Sequence, residues 1–260
     1  MVASAGSKKN GSGTTRSGSR RNWRTYAVSA VGLAVVCGAA TVLGQFARAN
    51  EATTFEAPSG AVAPSGAPTG APQLDLPVKP TVPVTLTVYE DPRSPLSRDF
   101  AQRYAGTFAQ LLASGQAQIN YRLVTPSDRQ YGGSGAKEAA AAAACAQDQG
   151  RFRQFMDQVW ANQPAPEKDA FNNRALLKKL AKKAGKIQHD TFDLCLDRKQ
   201  RQGWVTKSQE QYAASGLGQV PVVQLNGRTL ADPATQLTPA KLTGLVTKEA
   251  RRVAAAAPQQ

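Results

Sequence analysis

VTLTVYEDPRSPLSRDF, residues 84–100, changes its period halfway along. Val84, Leu86 and Val88 alternate with Thr85, Thr87 and Tyr89, the two-residue repeat of a strand. Beyond Pro92 the repeat lengthens, and DFAQRYAGTFAQLLASG places Phe100, Tyr104, Phe108, Leu111 and Leu112 at helical spacing. Between the two lies Ser94-Pro95-Leu96-Ser97, in which Ser is a favoured helix N-cap and Pro suits the first helical position. Ile119–Val124 reads as a second strand, so the opening is β-α-β, a unit that normally makes a parallel pair with a right-handed crossover.

Working outward, a long helical stretch follows. It holds an Ala-rich helix through Cys145, a helix carrying Phe152, Phe155, Val159 and Trp160, one with Leu176, Leu177 and Leu180, and one from Trp204 to Ala214. The strand signal returns at Val220–Leu225 and closes on Asn226-Gly227, a strong hairpin signal, with Leu230 expected to start the partner strand. Thr238-Pro239 opens a last helix ending at Arg251-Arg252. This order describes an α/β fold, a thioredoxin-like sheet with an inserted helical domain at about residues 134–215.

The formal charge of +14 suggests nucleic acid until it is divided along the chain. Seven of the 32 basic residues and none of the 18 acidic ones precede residue 51, so half of the excess belongs to a tail. Residues 1–25 read as a disordered basic cytoplasmic tail. Residues 26–46, YAVSAVGLAVVCGAATVLGQF, carry no charge and would span about 31 Å as a helix, enough for a single transmembrane anchor. The basic residues before it predict a cytoplasmic N-terminus and an extracytoplasmic C-terminal domain at the cell membrane. A cleaved signal peptide is the rival reading, because Ala47-Arg48-Ala49 resembles a small-x-small cleavage site. Residues 47–81, rich in Ala, Pro and Gly, are expected to be an extended linker that holds a domain at 82–256 several tens of Å from the bilayer, at about 3 Å per residue.

Four segments, in order and at matching spacing, carry a family resemblance. LTVYEDPRSPLSRDF resembles the strand and active-site helix of the DsbA-like thioredoxin-fold family, in which an acidic stretch leads to C-P-x-C. AAAAAACAQDQGRFRQFMDQVW is similar to that family's Ala-rich helix, Gln-Gly-x-Phe turn and aromatic helix. FDLCLD resembles a later segment, and GLGQVPVVQLNG resembles the strand that begins Gly-x-x-Gly-x-Pro. The resemblance runs from about Val82 to Ala250 and implies a thiol-disulfide oxidoreductase ancestry. By position, Ser94 stands for the nucleophilic cysteine and Ser97 for its partner. It also implies a cis Val220-Pro221 bond facing the active-site helix, and a peptide groove between Ser94, Val220 and Pro221.

A serine forms no disulfide, and a helix terminus alone does not activate its hydroxyl, so a general base would be needed. The one histidine, His189, is read in a polar turn with nothing to place it near Ser94. No catalytic residue is therefore expected, and Ser94 and Ser97 are degenerate positions. No cofactor and no metal site are expected, since one His and scattered carboxylates give no ligand spacing. Cys37 falls in the apolar run; Cys145 and Cys195 follow it, and an even count in an oxidising compartment predicts a structural disulfide between them. RALLKKLAKKAGK, residues 174–186, is a basic amphipathic segment, and Trp160 and Trp204 are expected in the core. Two functions follow. One is a membrane-anchored, extracytoplasmic binding or holding module for exported peptide or protein clients, with no nucleic acid partner. The other is a thiol-disulfide oxidoreductase that works through Cys145 and Cys195 or through a partner's cysteines.

Overall fold

The structure, a computed structural model, describes residues 54–64, 66–78, 82 and 84–256. The chain divides into two compact units, Met1–Ala47 and Arg48–Gln260, and the first lies outside the described residues with its expected basic tail and membrane segment. Among the described residues no helix is long and apolar enough to cross a membrane.

Five strands form one sheet: β1 (Leu76–Pro77), β2 (Thr85–Glu90), β3 (Gln118–Leu123), β4 (Val222–Leu225) and β5 (Arg228–Thr229). Their order is β1-β3-β2-β4-β5. β2 and β3 are parallel, with Val88 opposite Tyr121, and the other neighbours are antiparallel. α1 (Pro95–Ala113) makes the crossover from β2 to β3. Its stripe is buried as its period requires, with Phe100 stacked on Tyr104 at 4.4 Å and edge-on to Phe108 at 5.8 Å, packed with Leu86, Val88 and Ile119.

Helices then run from residue 126, somewhat earlier than the expected start near 134. They are α2 (Pro126–Tyr131), α3 (Gly135–Gln147), α4 (Phe152–Ala161), α5 (Arg174–Ala184), α6 (His189–Asp197) and α7 (Gln202–Ala214). The six consecutive alanines of α3, Ala139–Ala144, are buried, because their small side chains admit α4, α6 and α7 around one axis. Phe155, Phe171, Phe192 and Trp204 fill the space about it. His189 is the first residue of α6 rather than part of a loop. After the β4–β5 hairpin, α8 (Pro239–Ala256) closes the fold and buries Leu242 and Val246.

The expected linker differs from the structure over residues 54–78. Its repeat P-S/T-G-A forms successive turns, with Ala61, Ala67 and Ala71 N–H groups donating to the carbonyls of Pro58, Pro64 and Pro68. Gly at the third turn position takes φ of 72°, 79° and 84° at residues 60, 66 and 70, a conformation other residues adopt at a cost. Ser59 N–H donates to Asp148 at 2.7 Å, Trp204 Nε1 donates to the Gln73 carbonyl at 2.9 Å, and Leu74 and Leu76 are fully buried. β1 pairs with the β3 edge, and Arg122 Nε donates to the buried Asp75 carboxylate at 2.6 Å. These residues form a strap across the helical insert and the sheet edge. Proline and glycine punctuation fixes turns here instead of an extended spacer.

Candidate functional site

Ser94 is the N-cap of α1, its hydroxyl accepting from Ser97 N–H at 3.4 Å. The Ser97 hydroxyl accepts from Asp91 N–H at 3.1 Å, and Ser97 has no exposed surface. Asp91 ties the strand end to the insert, its two oxygens accepting from Arg93 N–H and Ser127 N–H, both at 2.8 Å. Burial pushes the Asp91 carboxyl up to about 6 against the pull of those donors. Gln163, from the segment after α4, donates its side-chain amide to the Pro92 and Ser94 carbonyls at 2.8 and 3.1 Å.

Arg93 is a second hub. It is 2% exposed, and its guanidinium donates to the Pro166 carbonyl at 2.6 Å, the Gly132 carbonyl at 2.6 Å and Asp128 at 3.0 Å. Asp169 lies 3.0 Å from the same Nη1. Asp128 in turn accepts from the Ala136 and Lys137 N–H groups that open α3, and Asp169 accepts from Gly135 N–H. Truncating such a buried cation would strand two carboxylates, which is the costly way to break an ion network. The loop before α1 is therefore fixed to the insert by Arg93 and Asp91, two residues to which the sequence reading assigned no role. The only local hint was the acidic pair Glu90-Asp91.

The Val220-Pro221 bond is cis. The β2–β4 ladder begins at Val222, so the backbone of Gly218–Val220 lies beyond its end. A groove of about 300 Å³ opens there, lined by Leu96, Val220, Pro221, Val222, Leu230 and Pro233, among others. Leu96, 41% exposed, brings the first turn of α1 to this groove, whereas Ser94 and Ser97 are not part of its wall. Of the expected groove residues Ser94, Val220 and Pro221, the wall contains Val220 and Pro221, and Leu96 takes the place expected for Ser94. Among the described residues no cysteine lines the groove.

Cys145 and Cys195 form a disulfide with Cα atoms 6.0 Å apart, joining α3 to α6 within the insert. Both are buried, at 2% and 4% exposure. His189 is exposed at the start of α6 and does not supply a base to Ser94. The Ser94 hydroxyl has Ser97 N–H as its partner, and both Asp91 oxygens are taken by backbone donors. Among the described residues nothing at the helix terminus is arranged to remove a serine proton. Among the described residues no group of three His, Cys, Asp or Glu side chains could hold a metal.

A family model described as Thioredoxin matches residues 79–247. No curated protein sequence matches the chain. Among solved structures, oxidised DsbA of Mycobacterium tuberculosis is 25% identical with a TM-score of 0.58, the match covering 68% of this chain and 92% of that one. Oxidised BdbD of Bacillus subtilis is 20% identical with a TM-score of 0.59, covering 74% and 98%. DsbA of Chlamydia trachomatis, at 15% identity and a TM-score of 0.58, covers 73% and 98%. The last two are likenesses of fold.

Proposed function

The chain belongs to the DsbA-like thioredoxin family, and from that premise we propose that it is a membrane-anchored, extracytoplasmic member without thiol chemistry that holds extended segments of exported peptides or proteins in the groove beside Leu96 and Pro221. The observation that carries the reading is the pairing of an open groove with a serine-occupied helix terminus. The groove keeps an exposed leucine, an apolar wall and backbone outside the sheet ladder. Strand addition needs that combination, because main-chain hydrogen bonds supply affinity and a pocket selects a side chain. Disulfide exchange needs a thiolate within reach of the client, and Ser94 and Ser97 supply none.

The oxidoreductase alternative would route electrons through Cys145 and Cys195. Both sulfur-bearing residues are buried between α3 and α6, on elements that do not line the groove. A client thiolate would have to open the insert to attack them. The anchor is argued from Tyr26–Phe46, which is uncharged and long enough to span, and from the basic residues before it.

The test uses a chemically unfolded client whose thiols are alkylated. The protein is expected to slow its aggregation, and Leu96→Glu, which puts a charge on the groove wall, is expected to abolish the effect while leaving the thermal transition in place. Equal protection by both proteins would remove the groove from the account.

A further inference from the structure

The basic segment 174–186 takes no part in the groove. In α5, Leu177, Leu180 and Ala181 are buried in the insert, so the apolar side of the helix is already used. Its outer surface carries Lys179, Lys182 and Lys183, all exposed, and exposed Lys186 follows the cap residue Gly185. Lys178 is satisfied separately, 2.9 Å from Asp197 and 3.5 Å from Asp193. Lys183 donates to Asn162, a neutral partner, at 3.0 Å. Among the described residues Lys179, Lys182 and Lys186 form no ion pair. The helix dipole favours Lys182 and Lys183 in the last turn, but it gives no reason for Lys179 or Lys186. Like charges three and four residues apart repel, so the cluster costs the isolated domain stability.

The strap decides where this surface can go. Thr54 is the first described residue, and its carbonyl lies so close to Gly203, at the start of α7, that a Cβ there would collide with it. Glu56 pairs with Arg201 at 2.9 Å. The chain therefore joins the domain at the helical insert, the lobe that carries α5, and the groove is built from α1, β4 and the hairpin instead. Seven residues separate Phe46 from Thr54, eight Cα steps that reach at most about 29 Å when fully extended.

We propose that Lys179, Lys182, Lys183 and Lys186 form a docking face for the phosphate headgroups of an anionic bilayer, an inference that rests on the membrane-anchor reading above. The contact is electrostatic and superficial, because no free apolar face remains on α5 to enter the hydrocarbon. The face lies on the insert, and none of its four lysines lines the groove.

The full chain is reconstituted into nanodiscs of phosphatidylglycerol or of phosphatidylcholine, and acylation rates are read lysine by lysine by mass spectrometry. The four lysines are expected to react about fivefold more slowly in the anionic discs, the weight of one lysine at an anionic surface. Lys241 and Lys248 on α8 should react alike in both, and about 0.5 M salt should erase the protection. Equal rates in the two lipids overturn the inference. Protection of the four lysines by soluble inorganic polyphosphate in phosphatidylcholine discs, without protection by phosphatidylglycerol, also overturns it, in favour of a phosphate polymer. A chain that enters neither disc overturns the anchor reading itself, an outcome visible before any labelling.

Discussion

Glu90→Gln should make the protein more stable, and increasingly so as the pH rises. Glu90 ends β2 with 1% exposure, and its Oε1 has no hydrogen-bond partner among the described residues. It borders a void of about 30 Å³ together with Tyr121, Arg153 and Asp157. Burial raises its carboxyl from the ordinary 4.5 to about 8, opposed by Arg153 and assisted by Asp157. Below pH 4.5 the group is neutral in folded and unfolded chains alike and has no effect. Between 4.5 and about 8 only the unfolded chain releases the proton, so stability falls as the pH rises through that window. At pH 7, two and a half pH units above the ordinary value, the penalty is roughly 3 kcal/mol, from about 1.4 kcal/mol per unit. Glutamine keeps the shape and cannot ionise. Thermal unfolding from pH 4 to pH 9 should give similar midpoints at pH 4 and a variant higher by roughly 6–12 °C at pH 7. A difference that does not change with pH, or a variant less stable at pH 8, would refute the assignment of Glu90 as a buried neutral acid.

Three further predictions test other parts of the account. Cys145→Ser with Cys195→Ser should lower stability by about 4 kcal/mol, the chain-entropy value for a loop closed across 50 residues, with groove binding retained; urea unfolding measures it, and loss of binding without loss of stability would contradict a structural role. Asp75→Ala should cost about 3–5 kcal/mol by leaving Arg122 buried without its carboxylate, whereas Asp75→Leu with Arg122→Met should cost far less; equal losses would show that the strap is not held by this pair. Ser94→Cys with Ser97→Cys should yield a thiol at residue 94 with a pKa below the usual value of about 8.5, read from the pH dependence of alkylation, because the helix N-terminus is intact; an ordinary pKa would point to a remodelled terminus.

What the sequence disclosed was whatever repeats locally. The alternation of residues 84–89 and the stripe Phe100-Tyr104-Phe108 gave β2 and α1 within a residue or two, and Asn226-Gly227 placed the hairpin. Pairing across distance left no such trace. Asp75 and Arg122 are 47 positions apart, and neither carries a local signal that it will be buried. The strap was misjudged because its turn residues also describe a linker, and its buried apolar anchors, Ala61, Leu74 and Leu76, are few. Arg93 reads as one more surface cation until α2, the segment around Pro166 and Asp169 close over it. Val220 and Pro221 line a cavity, but the side chain that reaches it from α1 is Leu96, because capping and backbone bonds turn both serines inward.

The most direct test of a groove that binds without thiol chemistry is one anisotropy titration with two labelled extended peptides, identical except that a single cysteine in one is serine in the other. The protein should bind both with the same Kd, leave no covalent adduct detectable by mass spectrometry, and lose both on Leu96→Glu. Binding confined to the cysteine peptide, or a mixed disulfide at Cys145 or Cys195, would contradict the account and return the protein to disulfide exchange.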